Sequence, residues 1–421
     1  MKEPAFESPL LMRQMPPGLQ HYICKGALRF MISYKQALSE VGVSLPNILL
    51  PADGVDLHRF SVIACDQFSA QPDYWQAVEA LVGDACSTLH ITLPEAYLSE
   101  NNDADIARIN ATMRAYLERR QLTDIGETFV YLRRRTSTGI RQGLVVALDL
   151  DQYDYAGDAK SLIRATEGTI VERLPPRVRI RGGAPLETPH IMVLIDDREN
   201  RLMRLLAERV ETLECLYDFT LMQGGGHSTG YRVDDPTLLL QIADILKGLK
   251  TQGGDNFLFA MGDGNHSFAA AKVCWEALKP TLSPEQQKTH PARWALAELV
   301  NLYDPALHFE PIHRLLYNVD PAAVQRELGF DAANPPDAQV LQPKLDAWLK
   351  AHPEAELEYI HGEAECRALS DRPDRLAVLF PAFERDSLFE VVRRNGAFVR
   401  KSFSMGEARD KRYYLECRKI R

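Results

Sequence analysis

The feature that most constrains this chain is a short apolar run that ends abruptly at glycine. Phe257–Met261 is wholly apolar, Gly262-Asp263-Gly264 follows at once, and a helical pattern opens at His266 or Ser267. A run this short between polar and glycine neighbours predicts a strand over 256–261, and the spacing beyond it predicts a helix over 267–278. A strand turning straight into a helix points to a layered α/β protein, because each element must bury one side against the other. The two glycines permit positive φ or the close approach of a ligand to the backbone.

The rest of the chain supports the same class. Apolar periodicity predicts helices over 32–41, 73–82, 104–120, 198–218 and 236–249. Alternation and β-branched content predict strands over 60–64, 129–135, 143–150 and 190–196, with further short strands over 221–222 and 230–233. Residues 293–302 fit helix or strand, and the polar stretch 280–289 reads as a loop. Beyond Asn318 prolines become frequent, with helices expected over 322–328 and 342–352 and strands over 356–360, 375–380 and 388–392. At 421 residues the chain has room for more than one core. The expected division is a flexible N-terminal extension over 1–30, a main α/β domain over 31–317, and a smaller C-terminal α+β subdomain over 318–421.

Charge and cysteine usage narrow the function classes. Lys and Arg number 49 against 58 Asp and Glu, a formal net charge of −9, which disfavours a nucleic-acid-coating role. No apolar run approaches the ~20 residues of a membrane helix, and the first thirty residues lack a signal-peptide pattern, so a cytoplasmic location without membrane partners is expected. The seven cysteines are scattered without C-x-x-C spacing, which argues against a disulfide framework or a structural zinc site. No H-E-x-x-H motif is present and no metal ligands are assigned. Homo-oligomerisation is left open.

Four constellations can carry chemistry. At the glycine turn the unpaired N–H groups of the helix start suit a phosphate or carboxylate, with Gly264, Asn265 and Ser267 at the mouth. Asp263 can act there as base or metal ligand, and His266 as acid, base or phosphate contact; the same residues also make a plain capped turn. The stretch 164–181 holds Arg164, Arg173, Arg177, Arg179 and Arg181 beside Glu167, either an anion-binding face or a solvated one. His313-Arg314 after a proline, and Lys401-Ser402 after a glycine turn, offer further anion contacts or ordinary surface. Gly224-Gly225-Gly226-His227 lacks the order of a P-loop or a Rossmann turn and reads as a mobile loop.

Five of the chain's stretches together resemble one family. They are Val62–Phe68 with Asp66, Arg164–Thr169 followed by Arg173, Gly262–Ser267, Pro311–Arg314, and Lys401–Ala408. They identify the chain as similar to the bacterial and archaeal domain-of-unknown-function family 1015. The D-G-x-H segment is similar to that of ParB- and sulfiredoxin-like proteins, some of which bind nucleotides or transfer phosphoryl groups, including free-serine kinases. The resemblance implies a ParB/sulfiredoxin-like mixed-sheet core, with Asp263 and His266 at a phosphate-handling site. Many relatives carry Arg after this His; here the residue is Ser267, which removes one guanidinium from that site. The implied activity is nucleotide-dependent phosphoryl transfer to a small polar metabolite, using ATP or ADP with Mg²⁺. Asp263, His266 and Glu167 would be catalytic, with Asp66, Arg164, Arg173, His313, Arg314, Lys401 and Ser402 binding. A non-catalytic nucleotide or metabolite sensor is the alternative, ahead of a ParB-like DNA-linked role.

Overall fold

The structure, a computed structural model, describes residues 34–99 and 101–421; the expected extension over 1–30 lies outside the described residues. The alternating and fully apolar runs join into one mixed sheet of ten strands. In chain order these are β1 (Val43–Ser44), β2 (Phe129–Arg135), β3 (Ile140–Asp149), β4 (Tyr153–Asp154), β5 (Ile163–Arg164), β6 (Met192–Ile195), β7 (Cys215–Thr220), β8 (His227–Val233), β9 (Phe259–Asp263) and β10 (Trp294–Asn301). Across the sheet they run β7-β8-β2-β3-β10-β6-β9-β5-β4, with β1 pairing β3. From β7 to β10 every pair is antiparallel. Beyond it, β10 lies parallel to β6, and β5 lies parallel to both β9 and β4.

Period-two alternation decides which face each side chain meets. On β6, Val193 and Ile195 join one core while Met192 and Leu194 join another, so both faces of the strand are covered. The helices that cover the sheet include α1 (Asp103–Glu118), α2 (Leu174–Gly183), α3 (Pro236–Gln252) and α4 (Asn265–Leu278). Leu238, Leu239, Ile242 and Leu246 of α3, with Phe268, Ala269 and Trp275 of α4, pack on the face carrying Phe129, Leu144 and Val193. Ile109, Met113 and Tyr116 of α1 cover the opposite face at Val130, Val145 and Leu296.

A second sheet is built on β11 (Phe309–Tyr317), which pairs antiparallel with β12 (Glu356–His361), β13 (Arg375–Val378) and β14 (Phe403–Met405). The chain then returns to the large body. Tyr413 bridges Ile63, Cys417 bridges Leu49, and Arg418–Lys419 pairs with Leu186–Glu187. Charges bury with it: Arg412 Nη1 lies 2.7 Å from Glu298, which is fully buried, and its Nη2 meets Glu416.

Several local expectations give way to tertiary context. The helix expected over 198–218 forms only at Arg201–Ala207, and Cys215–Thr220 is the edge strand β7, because pairing with β8 outweighs a pattern whose Val210 and Leu213 are only partly buried. The strand expected over 388–392 is a helix, α5 (Leu388–Asn395); Leu388, Phe389 and Val392 form one buried face, a spacing too short to reveal its period in sequence. The loop expected over 280–289 contains the helix Pro284–Thr289, started by a capping box between Ser283 and Gln286. Residues 221–222 lie outside any strand, and Phe60 closes the short helix Leu57–Phe60 instead of opening a strand. The ambiguous stretch at 293–302 is the central strand β10.

Candidate functional site

The β9–α4 junction takes its shape from two crowded glycines. A Cβ on Gly262 would lie 2.6 Å from Met405 Cε of β14, so the C-terminal sheet docks against bare backbone there. Gly264 caps α4 with φ +77°, and a Cβ on it would come within 3.1 Å of Ile191. The register slips between Met261 and Asp263 against β6, which leaves Gly262 unpaired and sets Asp263 opposite Met192. One oxygen of Asp263, Oδ1, accepts the Gly264 N–H at 3.0 Å, the ordinary behaviour of a turn aspartate. The other, Oδ2, is buried, makes no hydrogen bond and lies 3.4 Å from Lys411 Nζ. Asn265 Oδ1, at the first residue of α4, is likewise buried without a partner.

Beside this junction stands a chain of polar groups centred on His190. Its Nδ1 meets the Tyr414 hydroxyl at 2.8 Å, and that hydroxyl accepts the Cys65 backbone N–H at 3.1 Å. The hydroxyl proton is therefore free to point at Nδ1, leaving Nε2 as the protonated nitrogen. Nε2 lies 3.5 Å from Asp66 Oδ2 and 3.5 Å from Ser267 Oγ. Burial opposes charge on this imidazole, but the carboxylates of Asp66 and Asp263 outweigh it and raise the His190 pKa. Burial alone would raise Asp66; the facing His190, with Gln67 and Lys411, holds it well below the usual carboxylate range.

His266 behaves differently from a phosphate-binding cation. Its Nε2 accepts the Ile170 N–H at 3.3 Å. Burial, with the positive fields of Arg177 and Arg173, lowers its pKa to about 4, so the ring is neutral near pH 7. Glu167 is drawn to the same region by β-bridging to Phe398, and its Oε1 accepts the Ser402 N–H at 3.2 Å. Burial raises the Glu167 pKa, partly offset by Lys401. Lys401 itself is exposed, with φ +56°.

The structure gathers some of the sequence candidates and spends others on scaffold. Asp66, Asp263, Gly264, Asn265, His266 and Ser267 border one region, and Glu167, Lys401 and Ser402 form a neighbouring group that reaches it through the field of Lys401 on His266. Arg164 is 2% exposed, paired with Asp255 at 2.7 Å and stacked 4.5 Å over Phe257. Arg314 is fully buried between Tyr359 and Phe380, with Nε donating to Gln342 at 2.6 Å. Its burial pulls the guanidinium pKa down to about 10. His313 Nδ1 accepts the Phe380 N–H at 3.1 Å inside the second sheet. Arg173 is exposed and reaches the region only through its field on His266. Three residues absent from the sequence reading join the site: His190, Lys411 and Tyr414. Only His190 carried a signal, a histidine after proline at the mouth of a fully apolar strand.

The family described as "Protein of unknown function (DUF1015)" matches residues 49–377. The chain belongs to this family. The DUF1015 stretch includes Asp66, Glu167, His190, Asp263 and His266, while Lys401, Lys411 and Tyr414 lie beyond it. No curated protein matches the chain. A conserved hypothetical protein from Pyrococcus furiosus is similar at 12% identity, with 64% of this chain and 94% of that chain covered and a TM-score of 0.34.

Chemically, this DUF1015 site offers a carboxylate with a free oxygen, a buried lysine, a helix start and a histidine held between two acids. Among the described residues no cluster of three or more His, Cys, Asp or Glu is placed to hold a metal ion by itself. No described helix is long and apolar enough to cross a membrane.

Proposed function

We propose that the Asp263 turn is an acid–base site at which a small polar metabolite exchanges a phosphoryl group with a nucleotide. The observation that carries this reading is Asp263 Oδ2, a buried oxygen without a hydrogen bond, 3.4 Å from Lys411 and beside the N-terminus of α4. A buried lone pair so placed can take a proton from a substrate hydroxyl, while Lys411, Lys401 and the helix dipole balance phosphate charge. His266, being neutral, hydrogen-bonds without adding charge. His190 and Asp66 form a second donor–acceptor pair that can return a proton. Asp263 Oδ2 and Asn265 Oδ1 are two unpartnered oxygens, a set that fits Mg²⁺ carried in on a nucleotide, since Mg²⁺ keeps several waters and needs few protein ligands. When bound, that ion would neutralise phosphate charge.

The test is calorimetric titration with MgATP and MgADP, together with ³¹P NMR of the protein incubated with nucleotide and a metabolite pool. Binding at sub-millimolar concentration is expected, and Asp263→Asn should keep binding but lose turnover by about 10²-fold or more. Absence of nucleotide binding at millimolar concentration refutes the reading. A second reading, a nucleotide or metabolite sensor, is favoured by the burial of Arg164 and Arg314 in scaffold and by Ser267, which leave no guanidinium among the described residues in contact with Asp263. In a sensor Asp263→Asn changes affinity alone.

A further inference from the structure

Behind the His190 wall lies a pocket of about 140 Å³ that none of the preceding chemistry uses. It sits between α2, α4 and the segment carrying Ile91 and Leu93. Its sides are apolar: Ile91, Leu93, Met113, Ile180, Ala184 and Ala270. Its inner end is polar, formed by His190, Ser267 and Tyr414. These are the residues that link the pocket to Asp66 and the α4 start. The Arg177–Glu95 and Arg181–Glu187 ion pairs line its charged part.

Two observations point to an occupant. The pocket is a cleft with mostly apolar walls, and an apolar volume of roughly 150 Å³ is large enough to hold benzene. In addition, Thr188 lines this pocket, is only 8% exposed, and its Oγ1 has no neighbour to bond beyond the weakly bonding thiol of Cys417. A buried hydroxyl whose one neighbour is a thiol, a weak donor and acceptor, keeps the capacity to bond a stronger polar group. The pocket thus offers apolar walls for one ring or one short branched chain, with hydroxyl-binding groups at its inner end.

We infer that this pocket seats the apolar end of a small amphipathic ligand, a single ring or branched four- to five-carbon chain bearing a hydroxyl that bonds to Thr188 and the His190–Ser267 wall. That this ligand is the substrate rests on the proposed function; that the pocket binds it does not. The class excludes sugars and other fully polar metabolites, which would leave the walls of Ile91, Leu93 and Ile180 unsatisfied.

The experiment uses p-cresol, toluene and isoamyl alcohol as probes, followed by saturation-transfer NMR and calorimetry on the full chain. Wild type is expected to bind p-cresol in the millimolar range or tighter. Ala270→Leu, which fills the pocket from α4, should weaken that binding at least tenfold. Thr188→Val should bind toluene as before and lose about five- to tenfold of its preference for p-cresol, the worth of one hydrogen bond. Failure of all three probes to bind wild type overturns the inference, as does undiminished binding by a folded Ala270→Leu. If that variant does not fold, Thr188→Val decides: an unchanged preference overturns the inference. Probe binding blocked by Ala270→Leu in a protein that ignores nucleotides would leave the pocket standing and remove the phosphoryl reading. Nucleotide turnover without probe binding would do the reverse.

Discussion

Gly143→Ala is the substitution with the clearest consequence. Gly143 lies on β3 opposite Val300, and a Cβ there would come 2.6 Å from Glu298 Cγ and 2.8 Å from its Cδ, and closer still to Oε1. A long side chain at a surface would swing aside. Glu298 cannot, because it is fully buried and its carboxylate holds Arg412 at 2.7 Å and Arg141 at 3.6 Å. Breaking a buried ion pair costs about 3–5 kcal/mol, whereas replacing a strand glycine by alanine returns only about 0.5–1 kcal/mol. The variant should lose about 2–4 kcal/mol, read as a lower midpoint in urea unfolding followed by tryptophan fluorescence. Gly182→Ala is the control: nothing lies within 4 Å of its Cβ, it sits in α2, and it should gain about 0.5–1 kcal/mol. The damage should also reach the site, since Lys411 and Tyr414 flank Arg412, whose Nε donates to the Pro189 carbonyl at 3.1 Å. A Gly143→Ala protein that unfolds at the wild-type midpoint would refute the idea that Glu298 is pinned.

Four more outcomes follow from the same structure. His266 has its pKa lowered to about 4, so between pH 4 and 6.5 the unfolded chain binds the extra proton and stability rises with pH; the wild-type-minus-His266→Gln difference in melting temperature should climb across that window and level off above it. His190, raised, has the opposite sign, its contribution fading as pH rises above its ordinary value. Arg314→Ala should cost about 3 kcal/mol or more, with faster hydrogen exchange confined to β11–β13 and unchanged affinity for any ligand of the Asp263 turn, because its hydrogen bonds go to Gln342 and to the Ile312 and Arg400 carbonyls. Tyr414→Phe strands the Cys65 N–H and His190 Nδ1; it should cost about 1–3 kcal/mol, and ¹⁵N NMR should show His190 losing its single Nε2–H tautomer.

How much of this was legible in the chain depends on how far apart the partners lie. The β9–turn–α4 unit was readable because an apolar run, two glycines and a helical spacing sit side by side. The strand β10 was ambiguous and the 198–218 stretch misleading, since their fates are set by β3 and β8, which no local window contains. The site divides the same way. Asp263 and His266 announced themselves within one turn, but Lys411, within 3.4 Å of Asp263, arrives from a charged segment near the end of the sequence. Nor can a cluster of arginines say whether its guanidinium forks meet a ligand or, as with Arg164 and Asp255, a neighbour in the fold.

The interior crossing of residues 410–416 also bears on how the molecule is made. Two buried guanidinium groups, Arg134 and Arg141, lie at the heart of the sheet near Glu298 and Asp304, and both bond to the backbone of the returning segment. The segment brings Asp410, Arg412 and Glu416 to this group and carries Lys411 to Asp263. A chain truncated ahead of Asp410 would leave Arg141 without the Asp410 carbonyl and Glu298 without Arg412, and should stay open to proteases. Residues 410–416 thereby act as a latch: seating them closes the charged centre of the sheet and brings Lys411 beside Asp263 in a single event.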